Sequence, residues 1–181
     1  MISPQPANFP LCGKVLAELK RLQMRHGREH GRRTVLNTPI RRLEGISYWV
    51  IEDVDAIDDY INTEIRREWE TDARSEYREP EDDPWLKTLR KRKWRLEVLG
   101  VAQIKLNPDI MNYVDPKTGY VFSKSLERRS SELRQSIELG GVVLSPLIVK
   151  KEDYQLVDGY CRHATLNAMR VSKTLTYIGS L

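Results

Sequence analysis

Cysteine is scarce in this sequence. Cys12 and Cys161 are its two examples, and they lie far apart in a chain whose first ten residues, MISPQPANFP, lack a basic region followed by an apolar one. That spacing argues against a disulfide framework and a cysteine-based zinc site, and the opening carries no secretory pattern, so a reducing, cytoplasmic compartment is expected. Long hydrophobic runs are missing too. No stretch approaches the roughly 20 apolar residues that cross a bilayer, which leaves at most a peripheral place at the inner membrane. With ten glycines in 181 residues, a glycine set among polar and reactive side chains is informative.

Charge is plentiful, and it is sorted. Residues 1–50 carry nine Lys or Arg against three Glu, residues 51–83 carry fourteen Asp or Glu against four Arg, and KTLRKRKWR (87–95) returns six positive charges. Local clusters rather than the net charge of +4 govern affinity for phosphates, so the basic blocks at 20–33 and 87–95 are candidates for holding DNA without regard to sequence. Each has a plainer reading. KVLAELKRLQMR (14–25) has the spacing of an amphipathic helix, which fits a partner or anionic surface but equally an ordinary surface helix. Trp85, just before the second block, and Trp94 within it either stack on bases or anchor a helix to a core.

A helix is expected from Asp53 to about Trp69, because Val54, Ile57, Ile61 and Ile65 recur at helical spacing behind acidic residues suited to its amino end. TDARSEYREPEDDP (71–84) reads as a linker. The chain thus divides into a mainly helical extension, 1–84, and a second domain, 85–181. In that domain RLEVLGVAQIKLNPD reads as a strand closed by Asn107 and Pro108. SKSLERRSSELRQSIELGG reads as a helix stopped at Gly140, VVLSPLIV and Tyr154–Val157 as strands, Tyr160 to about Arg170 as a helix, and TLTYIG as a last strand.

LVDGYCRHATLNAM (156–169) gathers an acid, a glycine, a cysteine and an arginine just ahead of a helix. A core strand needs none of them. Gly159 would let the backbone approach an anion, the first free amides would face it, and the forked guanidinium of Arg162 would clamp a phosphate. The structural alternative is that Asp158 caps the helix and Arg162 pairs with a surface acid. Cys161 is either a thiol activated by its neighbours or a small buried hydrophobe, and His163 either an acid–base group or a surface histidine.

LRQSIELGGVVLSPLIV, with a helix ending in Ser-Ile, a glycine turn and a Pro-containing strand, and YQLVDGYCRHATLNAM, with a Gly-x-x-Arg turn opening an alanine-containing helix, together resemble the ParB/sulfiredoxin superfamily over about residues 95–181. The resemblance implies an α+β fold with a mixed sheet and helices in the C-terminal half. It also implies an ATP or other nucleotide site formed by Asn107, Gly159, Tyr160, Cys161, Arg162 and His163, with Mg²⁺ as companion ion. Arg162, Asp158, Asp109 and Glu132 would be the catalytic candidates, Glu132 alternatively lying on a solvated helix face. Tyr160 stands where sulfiredoxins carry their nucleophilic cysteine, which disfavours that activity.

A short member with a basic extension resembles plasmid-encoded fertility-inhibition proteins. That implies an ATPase and DNase that blocks DNA transfer through a conjugative type IV secretion system, with its coupling protein as a partner. An amino-acid kinase of the same superfamily and a non-catalytic interaction module are the alternatives.

Overall fold

The computed structural model describes residues 39–66, 88, 91–140 and 142–181. The basic block at 20–33, the amphipathic segment 14–25 and the linker 71–84 lie outside them.

Ile40–Leu43 (β1) and Ile46–Trp49 (β2) pair antiparallel around Glu44 and Gly45. Their φ values of 48° and 81° are the left-handed pair that a two-residue turn requires. Glu44 is held there because its carboxylate accepts from the Ser172 amide at 2.6 Å and from the Ser172 hydroxyl, contacts that also hold its pKa below the usual value. β2 turns Ile46 and Tyr48 inward, and the Tyr48 hydroxyl meets Thr174 Oγ1 at 3.1 Å. Residues of the extension are therefore built into the core alongside those of the second domain.

Val54–Tyr60 (α1) starts at Asp53, whose carboxylate accepts from the Ala56 amide at 2.9 Å, and runs on through a π-helical turn, Ile61–Ile65. Ile57 and Ile61 are fully buried against Trp94, Ile148 and Tyr177. The expected helical spacing is thus seen as far as the described residues go.

The main sheet is mixed, with Lys93–Gly100 (β3), Leu147–Lys150 (β4), Leu156–Asp158 (β5) and Lys173–Ser180 (β6) in the order β3-β6-β4-β5. β4 runs parallel to β6, and the other two pairings are antiparallel. Between these strands lie Pro108–Met111 (α2), Phe122–Glu138 (α3) and Tyr160–Ala168 (α4). This is the α+β architecture with a mixed sheet that the sequence predicts. Strand alternation sends Leu147 and Val149 into the cluster that holds Leu126, Leu156 and Leu166, and Ile148 into the cluster around Trp94.

Several boundaries shift for physical reasons. The strand expected to reach Asn107 ends at Gly100, where a 3₁₀ turn, Val101–Gln103, intervenes; the chain then makes one parallel bridge from Lys105 to Gln155. Tyr154 has φ 54°, so the strand expected to begin there begins at Leu156. Trp94 anchors to the core, from a strand rather than a helix. Its ring covers Gly179 so closely that a Cβ there would lie 2.6 Å from it.

Candidate functional site

Gly159 is the N-cap residue of α4 with φ 102°, a left-handed conformation that L side chains rarely adopt. A Cβ at this position would lie 2.6 Å from Leu147 Cδ2 and 3.0 Å from Arg162 Nη2. The glycine therefore serves close packing of the turn on β4. Asp158 does not cap the helix: α4 has no side-chain cap, and the amides of Tyr160, Cys161 and Arg162 in its first turn lack intrahelical acceptors.

The Asp158 carboxylate instead receives Arg162 Nη2 at 2.5 Å. Arg162 Nη1 donates to the Ser145 and Pro146 carbonyls, each at 2.9 Å, and to the Ser145 hydroxyl. The fork is turned inward, onto main-chain acceptors 16 and 17 residues earlier. The partner is Asp158 itself, not the separate surface acid of the structural alternative, and the geometry is that of a brace between α4 and the segment leading into β4.

Two stretches expected to share a site do meet. The Tyr160 hydroxyl donates to the Leu156 carbonyl at 3.1 Å and accepts from the Asn107 amide at 3.3 Å, which sets the end of the 104–107 segment beside the first turn of α4. Burial pushes the pKa of this hydroxyl up to about 12, so it remains a donor at neutral pH. The Asn107 side chain caps α2 by accepting from the Asp109 amide at 3.0 Å, and Asp109 itself is exposed.

The other candidates separate. His163 is buried in the core rather than on the helix surface; its Nε2 lies 3.3 Å from the Val101 carbonyl, and burial lowers its pKa. That position argues against an acid–base role toward a bound ligand. Burial raises the Cys161 pKa, outweighing the nearby charges of Arg129 and Arg162, so the activated-thiol reading fails on desolvation. Glu132 sits on the exposed face of α3 in an ion pair with Arg128 at 2.7 Å, the solvated face named as its alternative.

One participant had no signal of its own in the sequence. Arg129, in the same RRSSELR run as Glu132, lies over the Phe122 ring at 5.7 Å. Phe122 meets Tyr160 edge-on with centroids 5.6 Å apart. Arg129 also acts electrostatically on Cys161. It thus brings positive charge to the opening of α4, a role assigned from sequence to Arg162 alone.

The second basic block is split in its described part: Arg92 is buried, while Lys91, Lys93 and Arg95 are exposed. Arg92, 6% exposed, donates to both carboxylate oxygens of Glu152 at 2.8 and 2.9 Å and to the Gly179 carbonyl at 2.9 Å. Lys93 pairs with Asp58 at 2.8 Å. Arg92 thus closes the sheet rather than facing outward, whereas Lys91, Lys93 and Arg95 stay on the surface.

Among the described residues no cluster of three or more His, Cys, Asp or Glu side chains could hold a metal ion, and no helix is long and apolar enough to cross a membrane.

No protein-family model matches the chain, and no curated protein matches it. Among solved structures it is similar to one crystal form of a Pnob8-like ParB-N domain, with a TM-score of 0.36 and 17% identity over 50% of this chain and 31% of that one. It is also similar to a pNOB8-like ParB N-domain, with a TM-score of 0.35 and 18% identity over 50% of this chain and 29% of the other. The chain therefore spans less than a third of the length of these solved chains.

Proposed function

We propose that the amino-terminal end of α4 binds the phosphates of a nucleotide, ATP in the first instance. The observation that carries this reading is the junction at Tyr160, whose hydroxyl joins the Asn107 amide to the first turn of α4 at 3.3 Å, beside the Arg129–Phe122–Tyr160 stack. First-turn amides and the helix dipole favour an anion, and Arg129 adds a full positive charge. These groups suit the phosphates of ATP. Arg162 acts indirectly, by fixing the turn that aims the amides.

Turnover is the finer part of the proposal. Hydrolysis of ATP and cleavage of DNA both need an oriented water, and Asp109 is the candidate carboxylate because Asp158 is engaged by Arg162. Mg²⁺, which arrives with ATP, would rest on Asp109 and phosphate oxygens and would supply charge neutralisation. Inhibition of conjugative DNA transfer, as a plasmid-encoded fertility inhibitor of the Osa kind engaging a type IV secretion coupling protein, extends the same reading. It relies for DNA contact on the block at 20–33. The inward-turned Arg162 favours a second reading, a module that binds nucleotide without hydrolysing it.

Calorimetric titration with ATP, paired with release of labelled phosphate, tests both. Binding that weakens about tenfold or more in Arg129→Ala, which loses a charge-assisted contact, supports the site. Hydrolysis absent in wild type leaves the binding module, and no binding at all ends the proposal. Phosphorylated product from free amino acids would instead identify a kinase.

A further inference from the structure

Among the described residues β3 is an edge strand, and two hydrogen bonds fix the direction of its main-chain groups. The Trp94 amide donates to Asp58 Oδ1 at 2.9 Å and the Gly100 amide to Gln103 Oε1 at 3.0 Å, neither of them facing β6. Groups two residues apart in a strand point to the same side, so the amides and carbonyls of Leu96 and Val98 also face away from β6. Among the described residues β3 pairs with β6 alone. The edge is stoppered at both ends, by a carboxylate and a carboxamide, with a two-residue window between.

The side chains around the window match one another. On one face Leu96 is half-buried and Val98 is 53% exposed; on the other stand exposed Arg95 and half-buried Glu97. If two such strands meet antiparallel about a two-fold axis at Glu97, Leu96 falls opposite Val98 of the other copy, and each such pair exchanges two hydrogen bonds. All four outward groups on each strand are then satisfied. In that register Trp94 falls opposite Gly100, so the strand ends where the stoppers stand. Arg95 comes diagonal to Glu97 of the other copy, within reach of a long side chain, so two cross-strand ion pairs flank the facing glutamates. Lys151, 3.8 Å from Glu97, further offsets their repulsion.

We propose that the open edge of β3 binds the same edge of a second copy of the chain, antiparallel and centred on Glu97, making one continuous sheet across a homodimer. Unpaired main-chain groups beside an exposed apolar residue are a template for strand addition, and here the charge pattern selects an identical partner.

Sedimentation equilibrium of the full chain tests it. The expected result is a concentration-dependent species of twice 21.1 kDa. Val98→Pro removes an amide that does not serve the β6 ladder, so the monomer keeps its circular dichroism while the dissociation constant rises by about tenfold or more. Arg95→Glu, a surface change that does not depend on proline being tolerated, weakens association, and adding Glu97→Arg to it restores the dimer. In a chain carrying Cys12→Ser and Cys161→Ser, Glu97→Cys oxidises to a disulfide dimer and Val98→Cys does not. A chain that stays monomeric at every soluble concentration, or a dimer indifferent to these changes, overturns the proposal. So does a monomer whose Leu96 and Val98 amides resist hydrogen exchange, since its own chain would then cover the edge.

Discussion

The opening of α4 and the opening of β3 are built on the same plan. Each has an arginine that donates to main-chain carbonyls and to a carboxylate, Arg162 to Ser145, Pro146 and Asp158, and Arg92 to Gly179 and Glu152. Each also has a glycine under a neighbouring side chain, Gly159 beneath Leu147 and Gly179 beneath Trp94. They differ in what remains. At β3 the Trp94 amide is taken by Asp58, whereas the first turn of α4 keeps amides without intrahelical acceptors, with Arg129 near. An arginine beside a glycine turn is therefore not in itself an anion site; what distinguishes one is the donors left over once the fold has used its own.

The glycines sharpen this comparison most. Gly159→Ala meets both a clash and a left-handed φ and should lower stability by about 3–4 kcal/mol, while Gly179→Ala, with the clash alone, should cost about 2 kcal/mol, read from urea midpoints. Next, Arg92→Ala and Arg162→Ala should each cost about 2–4 kcal/mol, because both strand a carboxylate and carbonyl acceptors. An Arg162→Ala protein as stable as wild type would break the parallel and return Arg162 to the role of a free clamp. Arg129→Ala should change stability by under about 1 kcal/mol and still weaken ATP binding.

A smaller effect separates His163 from any surface histidine. Its folded pKa lies below the ordinary 6.5, so its neutral form is favoured in the fold. Its contribution is complete above that value and is lost as pH falls from 6.5 through the lower folded value. Urea midpoints should decline over that range in wild type and decline less in His163→Gln. Smallest of all, Glu132→Ala should move stability by no more than about 0.5 kcal/mol and leave phosphate release unchanged, as expected for an exposed i,i+4 pair.

Much of this architecture was legible because local pattern and tertiary demand agree. α3 stops where Gly140 takes φ 78°, α4 and β6 lie where apolar periodicity puts them, and β4 occupies the end of the apolar run, from Leu147. The β1–β2 hairpin has only a weak local signal, a Glu-Gly pair ahead of Ile46-Ser47-Tyr48-Trp49. The charges of Arg41, Arg42 and Glu44, all exposed, mask it. The site was legible as a neighbourhood, through Asn107 and Tyr160, but not in its roles. Whether Arg162 faces a ligand depends on the Ser145 and Pro146 carbonyls, acceptors every residue possesses and no sequence marks. His163 and Cys161 are likewise set by burial, which their own helix does not reveal.

The strand order carries a last consequence, for the making of the molecule. β6 lies between β3 and β4, yet follows every other described element in the chain. On the ribosome the edges that it joins wait side by side without a ladder, and Trp94 has no Gly179 to cover. The sheet therefore closes in one late, non-local step, and a nascent chain held short of residue 173 should remain open to chaperones and proteases.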